Sequence, residues 1–266
     1  MKVGFIGTGN MGGALARAAA KGGHTLLLAN RTPAKAEALA KELGGTVCPN
    51  AEGAETAELL FLGVKPQGLP GLAEELAPVL QARKGNAPVV VSMATAVTLR
   101  ELDAMLGGGL PLIRIMPNTP AAVGAGTILY AAQNVTDAQL NAFRAVLAQA
   151  GLLLPLPEAQ IDAASAISGC GPAFCFQFAD ALALGGVRAG LSYPDACRLA
   201  AQTMLGAAEM LLQGGEAPDV LKMRVCSPAG TTIEGVLALE QGGFSYTVQN
   251  AVTAAYRRTV EMTRKG

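Results

Sequence analysis

The sequence predicts an α/β domain followed by an all-helical one. Three observations carry this. Short apolar runs alternate with helical patterns over the first 160 residues, a glycine-rich loop separates the first strand from the first helix, and strand signals then stop. Strand candidates lie at residues 2–6, 25–29, 59–63, 89–92, 112–115 and 127–131. Helices are expected at 10–21, at 33–43, and at 136–150, where Thr136 caps and Gly151 follows. Strands separated by helices imply βαβ units, hence a parallel, doubly wound sheet with helices on both faces. Helical patterns then cover residues 172–189, 194–213, 217–225 and 231–264, the last with a break. Ser192 before Pro194 and Asp195 is a helix start, and Gly214-Gly215 is its stop. Thr231-x-x-Glu234 reads as a capping box, with Gly242-Gly243 as the matching stop. The expected domains are residues 1–160 and 161–266.

Composition narrows the function. Only 15% of the 266 residues are charged, against about 25% in average globular chains, and 51% are hydrophobic. Twenty basic and 20 acidic residues cancel, so no cationic excess exists to bind nucleic acid. One histidine, His24, removes two-histidine metal motifs and histidine-dependent hydrolases, so no metal site is expected. His24 itself reads as a surface loop residue. A membrane span needs about 20 apolar residues. The uncharged stretch 115–136 is broken by Pro, Asn and Gly and reads as buried protein, so no membrane association is expected. With no secretory signal and five cysteines lacking CxxC spacing, the chain reads as cytoplasmic, its thiols reduced. So little charge implies that something covers much of the surface.

Gly7-Thr8-Gly9-Asn10-Met11-Gly12 fits G-x-G-x-x-G directly after a strand and at the opening of a helix, the context that gives the pattern meaning. Gly7 allows the tight turn, Gly9 lets a pyrophosphate approach the backbone, and Gly12 allows close helix packing. The first domain is therefore Rossmann-type and dinucleotide-binding. An NAD site places an acid about 20 residues further on. Here Asn30-Arg31-Thr32 stands there, with Lys35 one turn later and no carboxylate. Arg31 can pair with a 2′-phosphate, and Asn30 or Thr32 can add neutral donors. NADP(H) is favoured, with NAD(H) the weaker alternative.

Further segments follow in order: Asn50; Gly63-Val64-Lys65-Pro66; Met116-Pro117-Asn118-Thr119-Pro120; Ser168-Gly169-Cys170-Gly171-Pro172-Ala173-Phe174; and the run from Cys226-Ser227-Pro228-Ala229-Gly230-Thr231-Thr232 through Glu240. Together they resemble the pyrroline-5-carboxylate reductase family, whose most specific segment corresponds to residues 226–240. The resemblance covers nearly the whole chain. It implies cofactor contacts at Ile6, Gly7, Thr8, Gly9, Asn10 and Met11, at Arg31 and Asn50, at Gly63, Val64, Lys65 and Pro66, and at Met93, Ala94 and Thr95. It implies substrate binding around Val225, Ser227, Gly230, Thr231 and Thr232. It also implies a helical domain that interlocks with its twin in a homodimer, often built into larger rings such as a decamer.

The chemistry agrees with that resemblance. A small cyclic imine bearing a carboxylate needs an anion site, a hydride donor and help for one nitrogen. Free N–H groups at the helix start near Gly230 can hold the carboxylate. Thr232 is the candidate hydrogen-bond donor to the ring nitrogen, so catalysis is positioning and preorganisation. Thr231 reads equally as a cap or a substrate contact. The Met116–Pro120 segment can shape the nicotinamide pocket or form a rigid domain-joining turn, Lys65 reads as cofactor-side structure, and Cys170 and Cys226 read as packing residues. A β-hydroxyacid dehydrogenase shares the opening loop but needs a lysine early in its helical domain. No lysine follows Phe174 until Lys222. A reductase of another cyclic imine and a silent NADPH-binding protein are the other rival readings.

Overall fold

The computed structural model describes residues 1–83 and 85–263. The first half runs β1 (Lys2–Ile6), α1 (Asn10–Lys21), β2 (Thr25–Ala29), α2 (Pro33–Leu43), β3 (Thr46–Val47), α3 (Asn50–Thr56), β4 (Leu59–Leu62), α4 (Leu69–Ala82), β5 (Val89–Ser92), α5 (Leu99–Met105), β6 (Leu112–Pro117), β7 (Gly126–Gln133), α6 (Asp137–Leu147), β8 (Gly151–Pro155) and α7 (Glu158–Ser168). The helical half is α8 (Gly171–Arg188), α9 (Tyr193–Gly214), α10 (Pro218–Arg224), α11 (Thr231–Gln241) and α12 (Phe244–Thr263). The expected helix end at residue 264 lies outside the described residues.

The eight strands form one sheet in the order β3-β2-β1-β4-β5-β6-β7-β8. The inner strands are apolar on both faces, as a sheet covered on both sides requires. One face packs Phe5, Phe61, Val91 and Ile113 against α1, α2 and α6. The other packs Ile6, Leu60, Leu62, Val90 and Leu112 against α3, α4, α5 and α7. The Phe5 and Phe61 rings stack at 4.6 Å.

The doubly wound domain and the helical region after it match the expectation. Three features differ from it. All pairs are parallel except β6–β7, which is antiparallel. The short link between those strands, a 3₁₀ turn over Thr119–Val123, cannot make the dozen-residue crossover that parallel pairing demands. Two strands went unread, the two-residue β3 and the edge strand β8, whose Leu152 and Leu154 face solvent. Helices α3, α4, α5 and α7 also went unread; Ile161 of α7 is buried against the sheet.

The chain divides into two compact units, Met1–Cys170 with the described part of Ala255–Gly266, and Gly171–Ala254. The packing of α7 on the sheet places the division after Cys170, past the boundary read near residue 160. In the second unit, Ser192 caps α9 by accepting the Asp195 N–H. Gly215 ends that helix at φ +64°, and Gly243 follows α11 at φ +71°. These are the starts and stops expected there.

Candidate functional site

The glycine loop joins β1 to α1 at the carboxyl edge of the sheet, where ligands of open α/β sheets bind. Gly7 has φ +99°, and its N–H donates to the Ala29 carbonyl at 2.8 Å. A Cβ on Gly7 would collide with the Gly63 carbonyl, and one on Gly12 would collide with the Gly7 carbonyl. Three glycines thus let the loop, α1 and the end of β4 close on one another. Gly9 is different, because a Cβ there would meet open space. It caps α1 with extended backbone and no side-chain bond, so Asn10, Met11 and Gly12 head the helix with no intrahelical acceptor for their N–H groups. Thr8 is only 7% exposed, and its hydroxyl has no partner among the described residues. A bare helix N-terminus, an open glycine and an orphaned buried hydroxyl fit a pyrophosphate.

Asn30 staples the loop to the end of β2. Its Oδ1 accepts the Thr8 N–H at 3.0 Å, and its Nδ2 donates to the Thr32 carbonyl at 2.9 Å. Its amide is therefore engaged in shaping the loop. Arg31, Thr32 and Lys35 are exposed, and neither cation forms an ion pair among the described residues. Thr32 caps α2 without a side-chain bond, with Pro33 first in the helix. A free guanidinium, a free hydroxyl and a bare helix start, with no facing carboxylate, fit a phosphate monoester.

The other cofactor candidates lie at the ends of β4 and β5 and at the start of α3. Gly63 donates to the Ile6 carbonyl at 2.7 Å, and Val64 packs against the adjoining core. Lys65, exposed, precedes the 3₁₀ turn that begins at Pro66. After β5, Met93 N–H reaches the Leu62 carbonyl and Ala94, buried, donates to Ser92 Oγ at 3.3 Å. Thr95 follows, half-buried. Asn50 is the first residue of α3, and its Nδ2 donates to Glu75 Oε2 at 3.0 Å. Asn118 uses both ends of its buried amide, accepting the Thr127 N–H at 2.8 Å and donating to the Ser168 carbonyl at 2.8 Å. His24 lies in the loop before β2, at the opposite end of that strand from Arg31. Desolvation is the main cause that lowers its pKa.

In the second unit, the segment after α10 forms a tight turn. Ser227 C=O accepts the Gly230 N–H at 3.0 Å, with Pro228 second and Ala229 third at φ +55°. A positive φ at that position ordinarily calls for glycine. A Cβ on Gly230 would displace Ser227 Oγ and lie 3.0 Å from the Ser227 carbonyl oxygen, so the turn is tight there. Val225, at the end of α10, is 62% exposed. Arg224 beside it pairs with Glu216.

The expected capping box does not form. Gly230, extended at φ −82° and ψ 167°, is the N-cap of α11, and no side chain caps that helix. Thr231 is already helical, which puts Glu234 one position too far along to reach back. The consequence favours binding. Neither the Thr231 nor the Thr232 hydroxyl has a hydrogen-bond partner among the described residues, and the first N–H groups of α11 stay free. Sequence reasoning missed one conspicuous residue, Arg114. Its signal was a lone charge inside the apolar strand Leu112–Pro117.

Two family models match the chain. "Pyrroline-5-carboxylate reductase dimerisation" covers residues 158–262, and "NADP oxidoreductase coenzyme F420-dependent" covers residues 2–96. A pyrroline-5-carboxylate reductase of Synechocystis is 39% identical over 274 aligned positions, covering all of this chain and 99% of its own. The solved pyrroline-5-carboxylate reductase of Coxiella burnetii superposes with a TM-score of 0.90 at 32% identity, covering 97% of each chain. The Plasmodium falciparum pyrroline carboxylate reductase, solved with NADP bound, gives 0.86 at 30% identity over 99% of each. The chain belongs to the pyrroline-5-carboxylate reductase family.

Proposed function

We infer that this protein reduces L-1-pyrroline-5-carboxylate to L-proline with NADPH, the last step of proline synthesis. The observation that carries the reading is the start of α11, where an uncapped helix N-terminus and two uncommitted threonine hydroxyls sit inside the segment most specific to the family. NADPH, when bound, supplies the hydride that adds to the imine carbon.

The chain's own residues bind and orient. Gly7, Gly9 and the first turn of α1 receive the pyrophosphate, with Ile6, Thr8, Asn10, Met11 and Gly12 forming the loop around it. Arg31 and Thr32 receive the 2′-phosphate, and Asn30 holds the two loops together. Asn50, Gly63, Val64, Lys65, Pro66, Met93, Ala94 and Thr95 complete the cofactor side. NADH is the weaker alternative, because no acid awaits its ribose hydroxyls. The free N–H groups of Thr231 and Thr232, at the helix start that Gly230 caps, hold the substrate carboxylate. Val225 and Ser227 shape the turn that presents them. Thr232 hydrogen-bonds the ring nitrogen, its hydroxyl donating to the neutral imine and accepting the N–H of the protonated one, which is already electrophilic, so no strong protein acid is needed.

The active form is a homodimer built into a larger ring such as a decamer, in the cytoplasm. Neither nucleic acid nor membrane takes part. The stretch Glu158–Arg188 is long and apolar enough to cross a membrane by length and composition. The helix breaks within it between Ser168 and Gly171, and its exposed apolar side chains suit a protein partner.

The test is NADPH oxidation in the presence of pyrroline-5-carboxylate, with proline measured as product. Stoichiometric proline is the expected result. Cofactor binding without turnover would refute the reading. Thr232→Ala should lower kcat at least about tenfold with the fold intact, the scale of one lost hydrogen bond at the reacting centre.

A further inference from the structure

Arg114 lies in the middle of β6, in register with Ser92 of β5 and Ala131 of β7. Its side chain is 3% exposed. A guanidinium withdrawn from water needs charged partners. Both come from α7, one turn apart: Nη2 meets Asp162 Oδ1 at 2.6 Å, and Nη1 meets Glu158 Oε1 at 3.4 Å. The two carboxylates have different duties. Asp162 has no hydrogen-bond partner other than Arg114 among the described residues, whereas Glu158 Oε1 also accepts the Leu99 N–H at 2.7 Å. Leu99 is the first residue of α5. An N–H at a helix start, which its own cap leaves free, is thus held by a residue far away in sequence. At the same helix start Thr98 and Glu101 form a reciprocal capping box that occupies their own N–H groups. The Thr98 N–H and hydroxyl are the main causes that hold the Glu101 carboxyl below its usual range, and Arg114 adds to them.

The loop from Met93 to Thr98 runs between two anchors. Met93 and Ala94 are tied to β4 and β5 at one end, and Glu158 holds Leu99 at the other. Between them Ala96 has φ +63°. An alanine keeps that left-handed conformation only where the chain on both sides is fixed.

We propose that Glu158, oriented by Arg114, is a positioning residue for cofactor binding: its bond to the Leu99 N–H holds the Met93–Thr98 loop in the strained shape that receives the nicotinamide end. The proposal rests on the assignment of Met93, Ala94 and Thr95 to the cofactor.

The test is a fluorescence titration of NADPH binding without substrate, together with thermal melts. Glu158→Ala should weaken NADPH binding about tenfold, the loss of one charge-assisted hydrogen bond. Glu158→Gln keeps an acceptor for Leu99 and should recover most of that loss. Asp162→Asn should lower the melting temperature but leave the Kd within twofold, because its amide oxygen still holds Arg114 in place and the Glu158–Leu99 bond is untouched. Equal losses of affinity in Glu158→Ala and Asp162→Asn would overturn the proposal, as would an unchanged Kd in Glu158→Ala. Should Glu158→Ala fail to fold, Glu158→Asp, one methylene short of Leu99, replaces it in the same comparison. Thr95→Trp tests the underlying assignment separately. It should abolish binding, and an unchanged Kd there would remove the assignment and the proposal with it.

Discussion

The two compact units treat apolar residues in opposite ways. In the first, every residue of β4, β5 and β6 is buried, and two cores fill the spaces between sheet and helices. In the second, α8 buries only Ala183 and α11 buries nothing. Phe174, Phe178, Leu182, Leu239, Phe244 and Val248 instead line an apolar groove of about 570 Å³. A helix hydrophobic on several faces belongs in a core. The first unit completes its core within the chain. The second has the composition of a core without its closure, which the proposed second copy of the chain would supply. The low charge does not single out the helical unit, since 24 of residues 1–170 and 16 of residues 171–266 are charged; what differs is how far the apolar residues are covered.

Four substitutions probe this contrast, in falling order of effect. Leu182→Asp puts a charge at a position 42% exposed in the single chain, so the fold should stand. Against a second copy the same charge would be buried and unpaired, at a cost of about 4 kcal/mol. Size-exclusion chromatography with light scattering should show single chains, and turnover should be lost. Gly12→Ala acts on the unit that completes itself. Its Cβ has no room beside the Gly7 carbonyl, so a melt should lose about 3 kcal/mol and NADPH binding should fail, while chains still associate. Arg31→Ala should raise the KM for NADPH about thirtyfold through lost charge-assisted bonds and barely change that for NADH, which steady-state kinetics would read. Equal effects on both cofactors would remove Arg31 from the 2′-phosphate. Ala229→Gly should stabilise the turn by less than about 1 kcal/mol, since glycine meets φ +55° without strain.

What the sequence made legible follows the same division. The glycine loop was readable because only glycine satisfies the positive φ at Gly7 and the contact at Gly12, so the residue type reports the geometry. The helices of the second unit were readable because Ser192, Gly215 and Gly243 punctuate them by local rules. The reversed direction of β7 was not, since an apolar run has no polarity and only the short link before it settles the matter. The edge strand β8, with exposed leucines, lacks the alternation that marks a half-buried strand. At the start of α11 the pattern Thr-x-x-Glu misled, because Gly230 competes for the cap one residue earlier. Arg114 was passed over because its partners come from α7 and a single charge in a strand carries no period. The roles of residues 225–232 came from the family motif. Chemistry alone would have pointed only to a helix start.

Completion of the helical unit by a second copy is the property on which the proposed assembly rests. The most direct measurement is light scattering of the unmodified chain at micromolar concentration. The expected result is a particle of at least twice the 26.9 kDa chain mass, unchanged on dilution. A stable 26.9 kDa particle with full NADPH-dependent turnover would contradict it.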